Sequence, residues 1–189
     1  MTDVTVCIPS IPPRAPLLQR AITSVLAQER PADALSIAID NHKQGAAMTR
    51  NRALFAVKTE WVAFLDDDDE MYQRHLRRLF EHQELTGADV VFPWFDVIGG
   101  LDPFPVLEGL EFKPETPHSF PITTLVRTQL ALEVGGFPVE RDPQNTVGAG
   151  EDWYFWLKLI EAGAHIVHLN ERTWCWHHDS GNTGGLPKW

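Results

Sequence analysis

The chain has 189 residues, of which 43% are hydrophobic and 22% charged, proportions that are typical of a globular protein and exclude a disordered one. The formal net charge is −10, with 16 Lys and Arg against 26 Asp and Glu, which disfavours a protein that binds nucleic acid or anionic lipid through phosphates. A length of this order favours a single domain spanning residues 1–189.

The two cysteines, Cys7 and Cys175, are too few for a disulfide framework. Each lies in an apolar, strand-like run, so we predict that both are buried free thiols. The N-terminal segment lacks the basic flank and the apolar length of a signal peptide, and no stretch approaches the roughly 20 apolar residues of a membrane-spanning helix. These features predict a cytoplasmic protein without a membrane span.

The first half of the chain alternates apolar, strand-like runs with segments of helical periodicity. The predicted strands are Val4–Pro9, Ser36–Ile39, Trp61–Leu65 and Ala88–Trp94. The predicted helices are Ala15–Gln28, Gly45–Val57 and a segment around Leu76–Phe80 that ends at Gly87. Strands and helices in this order, joined by short connections, predict an α/β fold with a mostly parallel central sheet flanked by helices.

The second half is less regular. Residues 98–121 contain a Gly-Gly pair and five prolines, so we expect a long excursion or lid. The elements predicted after it are a strand at Ile122–Arg127, a short helix ending at Gly135-Gly136, an amphipathic helix at Gly150–Ala162, and strands at His165–Leu169 and Thr173–His177. The tail from 181 to 189 is rich in glycine and is expected to be flexible.

An acidic run, Asp66 to Glu70, directly follows the third predicted strand. Five adjacent carboxylates repel one another unless a cation is present, and ligands of open α/β sheets bind at the C-terminal ends of the strands. Several carboxylate oxygens so close together suit Mg²⁺ or Mn²⁺, with the ion also bound to a diphosphate. The alternative is a solvated loop that caps the next helix. An EF-hand is disfavoured because Met71 stands at the sixth position, where that loop requires glycine.

A second acidic pair, Glu151-Asp152, begins the amphipathic helix directly after Gly-Ala-Gly. Carboxylates are favoured at a helix N-terminus by about 0.3–1 kcal/mol, which gives the pair a purely structural explanation. The functional alternative is that one carboxylate is aimed into a cleft as a general base. The spacing alone does not decide between the two.

A pair of histidines, His177 and His178, ends the last predicted strand. One of them could ligate a metal opposite the acidic run, or both could be ordinary polar residues. A zinc site with Cys175 is conceivable, but Cys175 and His177 alternate onto one strand face while His178 points away, and no fourth ligand is evident.

Taken together and in this order, four segments resemble the family 2 glycosyltransferases of the GT-A fold. VTVCIPSIPPR resembles the first strand and nucleotide loop of that family, and GAAMTRNRAL resembles its Gly-x-x-x-x-Arg-Asn helix, here with Gly45, Arg50 and Asn51. FLDDDDE is similar to its DxD-type motif, and GGFP followed by GEDW is similar to its acceptor-side segment. The resemblance extends over roughly Val4 to Thr183.

The resemblance implies specific roles for individual residues. The implied donor-binding residues are Pro9, Ser10, Arg14, Asp40, Gly45, Arg50, Asp66 and Asp67, with Asp40 at the base and Asp66 near the ribose. The implied ligands of Mn²⁺ or Mg²⁺ are Asp68 and His178. Asp152, beside Glu151, is the implied catalytic base. Trp94 and Trp153 are the expected acceptor contacts, next to the excursion.

The implied activity is metal-dependent, inverting transfer of a sugar from a nucleotide-sugar donor to a hydroxyl group. A UDP-sugar is the expected donor, with GDP and dTDP open, and the acceptor is a glycan, a protein or a small molecule. The resemblance divides the chain at about residue 95 into a nucleotide-sugar-binding half and, from about 96 to 180, an acceptor-binding and catalytic half. The alternatives are a sugar nucleotidyltransferase and an inactive module that binds nucleotide sugars or glycans.

Overall fold

The computed structural model describes residues 2–118, 120–139 and 150–178. The strands are β1 (Val4–Ser10), β2 (Ala34–Ile39), β3 (Trp61–Phe64), β4 (Glu70–Met71), β5 (Val90–Ile98), β6 (Leu125–Arg127) and β7 (Ile166–His177). The helices are α1 (Ala15–Leu26), preceded by a short 3₁₀ turn, α2 (Ala46–Phe55), α3 (His75–Thr86), α4 (Thr128–Glu133) and α5 (Glu151–Glu161). None of the described helices is long and apolar enough to cross a membrane.

The seven strands form one sheet in the order β2-β1-β3-β6-β5-β7-β4. Strand β1 pairs in parallel with β2 and β3, and β5 pairs in parallel with β7. Strand β6 runs antiparallel to both β3 and β5, so these two strands point the same way. Five strands therefore share one direction and only β6 and β4 oppose it, which confirms the predicted mostly parallel sheet.

Helices cover both faces of this sheet, because the strands are apolar on both sides. On one face α2, α4 and α5 bury side chains such as Leu54, Ala131 and Trp156 against Phe64 and Phe92. On the other face α1 and α3 pack against a second set of strand side chains. Successive residues of β1 enter opposite layers, as the strand period of two requires. Cys7 and Cys175 are buried and free, as predicted.

Two details differ from the predicted elements. The two strands expected at His165–Leu169 and Thr173–His177 are one continuous strand, β7, which pairs with β5 through irregular register around Trp94. Strand β4 was not predicted, because it has only two residues and one of them, Glu70, is charged. Its extended conformation depends on pairing with β7, which no local pattern encodes.

The excursion after β5 is fastened to the sheet at several points. Arg172 makes a bidentate ion pair with Glu108, with N–O distances of 2.7 and 2.6 Å. The indole N–H of Trp94 donates to Asp102 at 3.0 Å. Phe120 stacks on Trp156 of α5, with ring centroids 4.2 Å apart. These contacts connect the described part of the excursion to both β7 and α5. The predicted tail, 181–189, lies outside the described residues.

Helix α2 is tied to the segment after α4 by a pair of buried hydrogen bonds. The Asn51 amide donates to the Phe137 carbonyl at 2.7 Å and accepts the Phe137 N–H at 2.8 Å. The turn that allows this contact contains Gly136 at φ 66°, a left-handed conformation that suits glycine. A Cβ at Gly136 would lie 2.3 Å from Asn51 Oδ1, so the close approach also requires a residue without a side chain.

We predict that Gly136→Ala destabilises the fold more than Gly163→Ala. Gly163 also has a positive φ, 78°, but a Cβ there meets nothing within 4 Å, so its substitution costs only about 1–2 kcal/mol of backbone strain. Gly136→Ala should cost a further 1–3 kcal/mol or so, because the buried Asn51–Phe137 bonds are disturbed as well. Urea unfolding of both variants measures the difference, and equal losses would show that the Asn51 contact contributes little.

Candidate active site

Polar side chains converge at the edge of the sheet where the parallel strands end. Ser10 is the last residue of β1, Asp40 directly follows β2, and Asp66 lies two residues after the end of β3. Because β1, β2 and β3 are parallel neighbours, their C-terminal ends meet at one edge. The sheet thus brings together residues that are far apart in the sequence.

Asp40 organises the loop between β2 and α2. It is 1% exposed, and its carboxylate accepts the N–H groups of His42 at 3.1 Å and Gly45 at 2.8 Å. Burial alone would raise the pKa of Asp40, but the backbone donors, including that of Gln44, outweigh it and lower the pKa. In this structure the carboxylate holds the entry to α2, and contact with a nucleotide base remains a prediction.

Ser10 and Arg14 both bind Asp67. The Ser10 hydroxyl donates to Asp67 Oδ2 at 2.6 Å, and the Arg14 guanidinium donates to Asp67 Oδ1 at 2.8 Å. Arg14 also lies 3.0 Å from Asp68 Oδ2. Burial raises the pKa of Asp67, while its bonds to Ser10 and Arg14 oppose the rise. The loop after β1 is therefore fixed to the acidic run by these three residues.

Three carboxylates of the acidic run come close together. One oxygen from each of Asp66, Asp68 and Asp69 lies within 4.8 Å of the others, and among the described residues no other group of His, Cys, Asp or Glu side chains meets this condition. Asp69 is 2% exposed, and burial, followed by the negative charge of Asp66, raises its pKa well above the ordinary value. The chemistry of this donor set fits a hard divalent cation.

The two terminal histidines occupy different positions. His177 donates its backbone N–H to Asp69 Oδ1 at 3.0 Å, and its Nε2 lies 2.8 Å from Glu70 Oε1. The His178 ring packs against Trp176, with centroids 5.2 Å apart, and the backbone N–H of His178 donates to the Ile98 carbonyl. The structure thus places His177 beside the acidic run and does not bring His178 into the group of three aspartates. His178 as a metal ligand remains a prediction.

Arg50 of α2 connects the acidic run to the second acidic pair. Its Nη2 donates to both oxygens of Asp66, at 2.7 and 3.0 Å, while Nη1 lies 2.5 Å from Glu151 Oε1 and 3.2 Å from Asp152 Oδ1. Burial alone would lower the pKa of Arg50, but the charges of Asp152, Asp66 and Glu151 outweigh it and raise the pKa well above its usual value. The guanidinium is therefore permanently charged.

Asp152 has the most unusual acidity of the site. Burial of its carboxyl group raises its pKa to about 7, against the opposing charge of Arg50 and with a further rise from Glu151 and Asp66. Its Oδ1 is buried and accepts no hydrogen bond from the described residues, although 36% of the side chain is exposed. A carboxyl group with a pKa near neutrality can exchange protons at physiological pH, as a general base must.

The expected acceptor contacts have different surroundings. Trp94 is 1% exposed and packs against Phe95, so its ring lies inside the protein in this structure, and an acceptor contact by Trp94 stays a prediction. The pairing of β5 with β7 shifts register on either side of Trp94. Trp153, in the first turn of α5, is only partly buried.

Pro9 is partly buried near the end of β1, and Gly45 is the N-cap of α2 at φ 92°.

A groove of about 570 Å³ lies next to the acidic run, between α1 and β4. Arg20 and Glu70 line it, with an N–O distance of 3.3 Å between them, and Arg20 also donates to the Asp68 carbonyl. The three clustered aspartates do not line this groove, so we assign the chemistry to the carboxylates and not to the cavity.

Sequence reasoning missed the contributions of Asp69 and of the His177 backbone. The run of four aspartates marked the region, but spacing does not reveal which carboxylates point toward one another. The partner of Asp69 lies 108 residues away on β7, so only the sheet topology could have identified it. A prediction of β4 pairing with β7 would have supplied that signal.

Comparison with known proteins identifies relatives of the chain. The profile of glycosyl transferase family 2 matches residues 32–129, slightly more than half of the chain. The pre-mycofactocin glycosyltransferase of Mycobacterium tuberculosis is 32% identical over 139 residues, which cover 66% of this chain and 28% of that protein. The succinoglycan biosynthesis protein ExoO of Rhizobium meliloti is 34% identical over 62 residues, covering 33% and 18%. The chain spans less than a third of the length of these relatives.

Among solved structures, S. aureus TarS 1-349 in complex with UDP-GlcNAc is similar to this chain with a TM-score of 0.80. The superposition covers 97% of this chain and 61% of that chain at 15% sequence identity, so it shows a common fold. With the fold shared and the family profile matched over β2 to β6, helix α2 and the acidic run, the chain belongs to glycosyl transferase family 2 and has the GT-A fold.

Proposed function

We propose that the chain transfers a sugar from a nucleotide-sugar donor to an acceptor hydroxyl group, with inversion at the anomeric carbon and with Asp152 as the general base. The observation that carries this proposal is the convergence of the acidic run and Asp152 on one guanidinium, that of Arg50. It puts a group of three clustered carboxylates and a carboxyl group of near-neutral pKa side by side.

Mn²⁺ or Mg²⁺ fits the carboxylates of Asp66, Asp68 and Asp69. Three acidic oxygens within 4.8 Å of one another repel strongly, and a divalent cation relieves that repulsion through the oxygen ligands it prefers. When bound, such an ion would neutralise the charge that develops on the departing nucleoside diphosphate.

A UDP-sugar is the donor we propose. The family resemblance of the sequence favours UDP, and TarS, which has the same fold, has been crystallised with UDP-GlcNAc. Ser10, Arg14 and Asp67 form a connected wall beside the acidic group, which makes the loop after β1 a suitable boundary for the nucleotide.

Asp152 acts on the acceptor in this proposal. Its carboxylate removes the hydroxyl proton while the acceptor oxygen attacks the anomeric carbon from the side opposite to the leaving group. A single displacement of this kind inverts the configuration and requires no covalent sugar–enzyme intermediate. An inverting glycosidase uses a carboxylate in the same way, with water in place of the acceptor.

We predict that one nucleoside diphosphate stabilises the protein only when Mn²⁺ is present. Binding to the folded state raises stability by about 2.7 kcal/mol when the ligand is at one hundred times its Kd. A thermal-shift panel of UDP, GDP, dTDP and CDP, each with and without Mn²⁺, measures this effect.

The effect should disappear in Asp68→Asn and persist in Glu84→Gln, which removes an exposed carboxylate of α3. The absence of a metal-dependent shift for all four nucleotides would contradict the proposed donor site.

We predict that Asp152→Asn lowers the rate of sugar transfer by at least about 10²-fold, the lower end of what a general base contributes, because the amide cannot accept the proton. Donor binding should stay within about twofold, since Asp152 acts on the acceptor. Steady-state kinetics and calorimetric titration with UDP measure the two effects. Glu161→Gln, at the exposed far end of α5, serves as the control. Loss of donor binding together with activity would make Asp152 a structural residue.

We predict that the transfer rate falls on the acid side of a pKa of about 7, because protonated Asp152 cannot act as a base. Glu151→Gln should move this acid limb to lower pH. The substitution removes a negative charge that raises the pKa of Asp152 and leaves Arg50 with one charged partner fewer. A profile of kcat/KM against pH for both proteins shows whether the acid limb moves to lower pH. If it does not move, the limb does not report the pKa of Asp152.

A further inference from the structure

Two consecutive buried residues of α2, Arg50 and Asn51, bind segments on either side of residues 140–149. Asn51 holds Phe137 through two hydrogen bonds, and Arg50 holds Glu151 and Asp152 at the start of α5. The stretch 140–149 itself lies outside the described residues. Helix α2 thus fixes the described chain on both sides of that stretch, and it does so with side chains that point into the protein.

The environment of Arg50 determines what it can bind. The residue is 6% exposed, and its guanidinium carbon lies 5.6 Å from the centre of the Phe137 ring. Both Nη atoms are occupied by carboxylates, and Nε is buried and has no hydrogen-bond partner among the described residues. In this arrangement both Nη atoms of the guanidinium already contact protein carboxylates. The sequence predicts that Arg50 binds the donor. These contacts favour a different role, which is to hold carboxylates of the protein itself.

The two carboxylates of the α5 pair use Arg50 differently. Glu151 makes the short contact, 2.5 Å, while Asp152 Oδ1 stays at 3.2 Å and accepts no hydrogen bond from the described residues. Glu151 is therefore the anchor that fastens the first turn of α5 to α2. Oδ1 of Asp152 receives the electrostatic effect of Arg50 without accepting a hydrogen bond, which leaves this oxygen available for a proton.

We propose that Arg50 is a positioning residue for Asp152, which it holds at a fixed place relative to Asp66, with Glu151 as the anchor of that arrangement. This inference rests on the proposed function, in which Asp152 is the base. It deepens that function by assigning Arg50 to the catalytic step and not to donor affinity. It also explains the neighbouring acidic pair, because one carboxylate fastens the helix and the other reacts.

Lysine at position 50 is the informative substitution. Lysine keeps the positive charge but is a single point charge, without the planar fork that lets Arg50 bind Asp66 with Nη2 and the α5 pair with Nη1. Retention of charge limits the loss of stability, whereas the geometric constraint on Asp152 is lost. Arg77→Lys is the matched control, since Arg77 also contacts two carboxylates, Glu29 and Glu81, but is 42% exposed on α3.

The experiment measures kcat at saturating donor, corrected for the folded fraction, and the Kd of UDP with Mn²⁺. For Arg50→Lys we expect kcat to fall about 100-fold, as a small misplacement of a reacting group does, and Kd to stay within twofold. For Arg77→Lys we expect neither value to change. A loss confined to Kd would make Arg50 a donor contact and overturn the proposal. An unchanged kcat per folded molecule would overturn it as well, since Arg50 would then be merely structural.

Hydrogen exchange distinguishes this inference from the proposed function itself. If wild-type protein transfers no sugar, the proposed function fails, but the positioning claim is still measurable in the amide groups of Phe155 and Trp156, whose helical hydrogen bonds to the carbonyls of Glu151 and Asp152 close the first turn of α5. Their exchange should be at least about tenfold faster in Arg50→Lys than in wild type, because opening of that turn becomes easier. Unchanged exchange would show that Arg50 does not position α5, whatever the activity.

Discussion

Three carboxylates from distant parts of the chain converge on the buried guanidinium of Arg50. Asp66 lies 16 residues from it and Glu151 lies 101 residues from it, yet both are within 2.7 Å of its nitrogen atoms. Arg50 is buried but its three partner carboxylates are 28–36% exposed, so removing its charge should cost less than the roughly 3–5 kcal/mol of a fully buried pair. This electrostatic contact joins the acidic run after β3 to helix α5, which carries Asp152. The geometry of the rest of the site therefore depends on it.

The same site concentrates negative charge that the protein alone compensates only in part. Asp67 and Asp69 are buried, and burial raises the pKa of both. Ser10 and Arg14 bind Asp67, and the His177 N–H binds Asp69, so each acid is oriented before any ligand arrives. Orientation in advance reduces the reorganisation that binding and reaction require. The rigid edge of a mostly parallel sheet makes this possible, since it fixes the starting point of every loop involved.

The sequence predicts the elements of the sheet well and the orientation of side chains poorly. Apolar, β-branched runs identified β1 and β3, because their burial on both faces is visible in composition. The acidic run marked the site, but its spacing does not show which carboxylates point toward one another, so the roles of Asp67 and Asp69 required the fold. The burial of Trp94 was not visible in the sequence, because it depends on how β5 packs in the sheet. Arg50 was recognised through a motif, whereas its partners depend on contacts between α2 and α5 that local spacing does not encode.

The most direct test of this account is the anomalous diffraction of a crystal grown with Mn²⁺ and UDP. The account predicts an anomalous peak bonded to Asp68 together with Asp66 or Asp69, with the UDP phosphates on the same ion. It also predicts that the carboxylate of Asp152 stays beside Arg50, on the side of the donor from which the acceptor approaches. A manganese peak elsewhere, for example between Glu70 and His177, or UDP bound without the metal, would contradict the central claim that these carboxylates form the donor site.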